Sequence, residues 1–109
     1  MGSDTDFVEF VVGQIHETCD ISYRKMFGEY CLYSRGKVVG LVCDNQLFIK
    51  PTKAGRAFVG DIEMGAPYKG AKPQFLIQDE IENRDWLSEL VSLTEQELPL
   101  PEKKKRKPK

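Results

Sequence analysis

Histidine and tryptophan each occur once in this 109-residue chain and cysteine three times, and each shortage removes a class of chemistry. Cys19, Cys31 and Cys43 are too widely spaced for a CxxC pair, and no second histidine joins His16, so the usual zinc-ligand spacings are absent. An odd number of separated thiols reads as free buried cysteine in a reducing compartment rather than as a disulfide framework. His16 and Cys19 stand three residues apart, within reach on a helix surface. Nothing beside them supplies an orienting carboxamide or an oxyanion hole, so they read as helix-end residues rather than a nucleophile pair. No apolar run approaches the ~20 residues that span a bilayer. The opening MGSDTDFVEF carries acidic groups and no basic stretch, unlike a secretory signal. A cytoplasmic protein with no membrane partner is expected, without a metal, a cofactor or catalytic residues.

What is present is ordinary globular material, 40% apolar and 30% charged, in a length that suits one modest core. The formal net charge of -1 conceals an asymmetry. Six of the 16 Lys and Arg lie in residues 102–109 against the single Glu102, leaving ten basic against sixteen acidic residues in the rest. An acidic body lacks the basic face that phosphate neutralisation requires.

The chain is organised around Arg24–Lys50, RKMFGEYCLYSRGKVVGLVCDNQLFIK. Two turn signals, Arg35-Gly36 and Asp44-Asn45, divide apolar runs into an antiparallel meander. The first strand is expected from about Ser22 to Ser34, interrupted at Gly28, where glycine marks a bulge or bend. A two-residue turn at Arg35-Gly36 pairs Ser34 with Lys37, Leu32 with Val39 and Tyr30 with Leu41. The second turn pairs Cys43 with Gln46 and Leu41 with Phe48, and Pro51 ends the third strand.

Before the meander, Asp4 or Thr5 caps a helix whose Phe7, Val8, Val11, Val12 and Ile15 share one side and which ends near residues 18–20. After it, Thr52 caps a short helix closed by Gly60. An edge strand near Ile62–Met64, a Gly/Pro-rich loop through Pro67–Pro73 and a strand over Gln74–Gln78 follow. Tyr68, Lys69 and Lys72 give that loop a site-like look, although a solvated structural turn is the better account of them. Asp79 caps a last helix running to about Thr94, with Trp86, Leu87, Leu90, Val91 and Leu93 on its apolar side. The domain is therefore residues 1–98, and 99–109 form a Pro/Lys-rich tail expected to be disordered.

In this register Tyr30, Leu32, Val39, Leu41, Cys43 and Phe48 share one face of the sheet. Cys31, Tyr33, Val38, Val42, Leu47 and Ile49 share the other, which would keep Cys31 and Cys43 from forming a disulfide. Two apolar faces both need cover. Helices can cover one, and the second is a candidate homodimer interface made by Tyr33, Val38, Val42, Leu47 and Ile49. The alternative is that the first and last helices cover opposite faces. In the tail, Lys103, Lys104, Lys105, Arg106 and Lys107 match a nuclear-address or nucleic-acid patch. Their contact with nucleic acid would be weak and non-specific, since reading bases takes a rigid element in a groove.

The strings RKMFGEYCLYSRGKVVGLV, DNQLFIKPT and PYKGAKPQFLI, followed by an amphipathic helix and LPLPEKKKRKPK, resemble the TfoX N-terminal domain family. Arg24, Met26, Phe27, Gly28, Tyr33, Lys50 and Pro67-Tyr68 stand where that family has its motif residues. Arg24, Met26, Phe27, Gly28 and Tyr68 form the candidate motif surface. The resemblance implies an α+β fold, two-layer, in the order α-β-β-β-α-β-β-α, with an antiparallel sheet like that of secretion chaperones. It also implies a connection with transcriptional regulation of competence, and no cofactor. Two readings follow: a non-enzymatic regulatory or protein-interaction module that forms a homodimer or binds a regulatory protein, or a small-molecule-binding protein or small enzyme with Tyr30, Tyr33 or Tyr68 lining a pocket.

Overall fold

The two primed turns set the geometry of the meander. In the computed structural model, which describes residues 5–26 and 29–98, Arg35, Gly36, Asp44 and Asn45 all have positive φ, between 53° and 83°. Type I′ turns need this at both central residues, and their twist matches that of the strands they join. Arg35 is held in that conformation from outside: its backbone N–H donates to Asp20 O at 3.1 Å and its guanidinium to Thr18 O at 2.6 Å.

The chain runs α1 (Thr5–Gly13), β1 (Ile21–Met26), β2 (Glu29–Ser34), β3 (Lys37–Cys43), β4 (Gln46–Ile49), α2 (Lys53–Val59), β5 (Met64–Gly65), β6 (Gln74–Ile77) and α3 (Arg84–Glu97). Short 3-10 turns at Glu17–Cys19 and Asp79–Glu82 precede β1 and α3. The six strands form one antiparallel sheet in the order β1-β2-β3-β4-β6-β5. The α+β class and antiparallel sheet are those expected, and the strand material around Gly28 is refined. The stretch expected as one interrupted strand is two, β1 and β2, paired from Ile21 with Ser34 to Met26 with Glu29. Phe27 and Gly28 lie outside the described residues, as do 1–4 and the tail with Lys103, Lys104, Lys105, Arg106 and Lys107.

All three helices lie on one face of this sheet. Val8 and Val11 of α1 and Leu87, Leu90 and Val91 of α3 pack with Leu32, Val39, Val42, Leu47, Ile49, Phe75 and Ile77 in a single buried cluster. The 3- and 4-residue spacing of those helical positions produces this one-sided burial. Phe7, Val12, Phe58 and Trp86 pack at its margin, the rings of the last two 5.4 Å apart and tilted by 35°. Thr52 caps α2 as expected, its Oγ1 accepting the Gly55 N–H at 3.0 Å. From the end of α3, the Glu97 carboxylate accepts the N–H groups of Lys53 and Ala54 at 3.1 and 2.6 Å, so one helix caps the start of another. The expected Asp79 cap is replaced by Asn83, whose Oδ1 accepts from Trp86 N at 3.1 Å. Residues 79–82 are spent in the tighter turn that brings α3 back over the sheet.

The expected register holds at Ser34–Lys37 and throughout β3–β4, where Cys43 meets Gln46 and Leu41 meets Phe48. It fails in the far half of β2–β3. A bulge between Leu32 and Tyr33 makes Leu32 face Gly40 and Tyr30 face Val42, one residue beyond the expected partners. Gly40 is the physical reason: a Cβ there would lie 2.3 Å from the Phe48 carbonyl oxygen, so only glycine lets β3 approach β4 this closely. The bulge turns Val39 and Val42 to the same side, and every later residue of β3 changes face relative to β2.

Candidate functional site

The bulge redistributes the candidate interface. Val42, Leu47 and Ile49 are completely buried beneath the helices, so they are core residues and not the surface that a second copy could use. Tyr33 and Val38 are half-buried on the opposite, outer face, where they pair with each other. Leu41, Cys43 and Phe48, expected with Tyr30 and Leu32, are on the outer face as well, packed with Leu76. Cys31 and Cys43 therefore share a face. The geometric argument against their pairing does not hold, and all three cysteines are free.

Among the described residues no helix crosses the outer face. One end of it is instead crossed by the segment between β5 and β6, residues 66–73. Pro67 is buried there while Tyr68 is exposed. The Ala71 N–H donates to the Tyr68 carbonyl at 3.0 Å, and Gly70, at φ 90°, supplies the left-handed residue of this tight turn. Between this strap and strands β1–β3 lies a groove of about 500 Å³ lined by Met26, Glu29, Cys31, Leu41, Cys43 and Pro67, with Tyr68 and Tyr30 at its sides. The volume falls within the ~300–1,000 Å³ of ordinary ligand pockets. The strap and β1 bring Met26 and Tyr68 of the expected motif surface together. Arg24 is exposed on β1 opposite Cys31.

The two thiols in the groove are held protonated. Burial pushes the Cys43 thiol up to about 11, with Glu29, Cys31 and Asp44 adding to the shift. Burial also raises Cys31, against the opposing pull of the Tyr33 hydroxyl and the Lys50 charge. Tyr33 is itself raised, by burial first and then by Cys31, against the Arg24 guanidinium. A nucleophilic cysteine needs the reverse shift. Glu29, the carboxylate of the lining, accepts the Asp44 backbone N–H at 3.0 Å. Tyr30 acts as an anchor: its hydroxyl is 2.8 Å from Thr5 Oγ1 and its ring meets Tyr23 edge-on at 5.6 Å.

His16 and Cys19 are drawn apart functionally. His16 Nε2 lies 3.0 Å from Asp85 at the rim of an open depression near Asp79, Glu82 and Arg84. The Cys19 thiol is buried, donates to the Ser88 carbonyl at 3.6 Å and is raised by burial. Among the described residues no group of three or more His, Cys, Asp or Glu is arranged to hold a metal ion, and no helix is long and apolar enough to cross a membrane. Pro67 stands among the motif residues, whereas Cys31, Leu41 and Cys43 of the groove are site residues that the sequence reading missed. The available signal was Gly40, a strand glycine that carries the same bulge message as Gly28.

The fold and groove define a two-layer α+β domain with helices on one face of its sheet and a strapped, partly apolar opposite face. The TfoX N-terminal domain matches residues 14–98, and the chain belongs to that family. It is also similar to a Spirochaeta aurantia protein described as an uncharacterized 12.7 kDa protein in the trpE 5′ region. The two are 40% identical over 109 residues, covering 100% of this chain and 95% of the relative.

Proposed function

We propose that this chain is a non-enzymatic interaction module, regulatory in context, that binds a protein partner through its strapped outer face. The observation that carries the reading is a sheet face that none of the described helices covers, on which exposed Met26 and Tyr68 border a groove. Exposed apolar surface of this kind is what protein-binding faces present. The groove's thiols are shifted away from reactivity and its carboxylate already accepts a backbone N–H, which favours binding over catalysis. The link to transcriptional regulation of competence comes with the family. Free, buried thiols fit a cytoplasmic setting.

The test is site-specific photo-crosslinking in the native host. A benzoylphenylalanine at position 68 should give a discrete protein adduct, and the same group at Phe10, the exposed aromatic of α1, should not. Equal labelling from both positions, or none from either, would overturn the proposal.

A further inference from the structure

Three sulfur-bearing side chains from three adjacent strands meet in the strapped groove: Met26 of β1, Cys31 of β2 and Cys43 of β3. The register brings the two thiols together. Cys31 faces Leu41 on a regular stretch of the ladder, so Cys43, two residues further along β3, is its diagonal neighbour on the same face. Cα atoms of diagonal neighbours lie about 7–8 Å apart, long for the ~4.4–6.8 Å of a disulfide. An ion between the sulfurs replaces one bond of about 2 Å by two of about 2.3 Å, which suits this spacing. Met26, paired with Glu29, stands exposed at the groove, and its three rotatable bonds let the thioether turn towards the floor.

We infer that Cys31 and Cys43 bind a soft monovalent cation of the copper(I) class as a bis-thiolate, with the Met26 thioether as a third donor. The donor set makes the choice. Zinc takes four ligands, drawn from Cys, His, Asp and Glu, and among the described residues no three of these gather to hold a metal. Two thiols and a thioether are instead the donors that select copper(I). Charge agrees with it. Among the described lining residues the charged one is Glu29, and Glu29 and Asp44 both act on Cys43, so the groove attracts a cation. A bis-thiolate of a monovalent ion carries one net negative charge, and Lys50 acts on Cys31 to offset it. Lys50 follows the inward-facing Ile49 and bonds through its N–H to Val39 O at 2.9 Å, so alternation puts it on the outer face. Each thiol gives its proton to solvent as its metal–sulfur bond forms. The metal keeps its oxidation state, so the step needs no oxidant or reductant. The site goes beyond the partner reading above and does not depend on it.

The experiment is an anaerobic titration of the reduced full chain with copper(I) against the chelator bathocuproine disulfonate, whose colour reports the metal it keeps. Wild type should take one equivalent per chain, with no change of oligomeric state in light scattering. Changes outside the ligands of a metal site cost about 10–100-fold in affinity, so Cys31→Ser and Cys43→Ser should each lose at least about a hundredfold. Met26→Leu should lose about tenfold. Cys19→Ser alters a buried thiol on the helix side of the sheet and should bind as wild type does, with urea midpoints confirming that each variant is folded. A second readout needs no substitution: X-ray absorption of the loaded wild type should show sulfur alone around the metal. Nitrogen or oxygen neighbours, failure of wild type to compete, or undiminished binding by the double variant Cys31→Ser/Cys43→Ser overturns the inference. An equal loss in Cys19→Ser overturns it too. One copper per two chains, with a dimer that forms on loading, overturns it in favour of a site shared between copies. Stoichiometric zinc binding that either serine variant abolishes overturns the choice of a monovalent ion. None of these results alters the crosslinking test at position 68.

Discussion

Val42→Asp separates a core from an interface at one position. Val42 is completely buried beneath α1 and α3, whereas its neighbour Leu41 is only half-buried on the outer face. Removing the valine forfeits about 1.5–3 kcal/mol of apolar burial. The new carboxyl would have to remain protonated at pH 7 against an ordinary value near 3.9, about 4 kcal/mol more. A total of roughly 6–7 kcal/mol is comparable to the 5–15 kcal/mol that stabilises a domain. With a urea slope of ~1–3 kcal/mol/M for small proteins, the midpoint should fall by several molar or the variant should be unfolded in buffer. Leu41→Asp, with its carboxylate in water, should lose about 1–2 kcal/mol and keep a cooperative transition. The pH dependence has a definite sign. A buried Asp has a folded value above its unfolded one, so the Val42→Asp deficit is largest near neutrality. It should shrink as pH falls towards 4, where the unfolded chain also binds the proton. A folded Val42→Asp protein with the wild-type midpoint and a changed oligomeric state would refute the reasoning and return Val42 to an interface.

Further outcomes are expected elsewhere in the fold. Glu97→Ala removes the acceptor for the Lys53 and Ala54 N–H groups and should destabilise the domain by about 1 kcal/mol, a fall of roughly 4–8 °C in thermal midpoint. Gly40→Ala forces a Cβ against the Phe48 carbonyl oxygen and should destabilise by about 1–3 kcal/mol, with β3–β4 amides losing hydrogen-exchange protection. Cys43 holds its proton more tightly in the folded chain, up to about 11 from a reference of 9.0. Its contribution to stability is full below about pH 9 and is lost as pH rises towards 11, which urea titrations across that range of wild type against Cys43→Ser will show as a steeper decline for wild type. If Lys103–Lys107 confer affinity for an oligonucleotide, anisotropy should show it falling steeply with salt and disappearing on deletion of residues 103–109.

Local pattern determined most of the elements. Alternation and paired positive-φ turns defined the meander at Arg35-Gly36 and Asp44-Asn45, and Thr52 and Gly60 bounded α2, because these signals act within a few residues of their cause. The apolar sides of the first and last helices were legible in the same way from their 3- and 4-residue spacing. Two apolar sheet faces were also legible, but not which of them the helices would cover. That choice rests on contacts from Val8 and Leu90 to strands far away in the chain, which no local window contains. The single-residue slip at the bulge was equally invisible, since it follows from how closely Gly40 approaches the Phe48 carbonyl on the next strand. With period-two alternation, that one slip moved Leu41 and Cys43 to the outer face and Val42 into the core. Only the tertiary structure then brought Pro67 and Tyr68 across that face, where a loop that reads in sequence as a solvated turn becomes one wall of a groove.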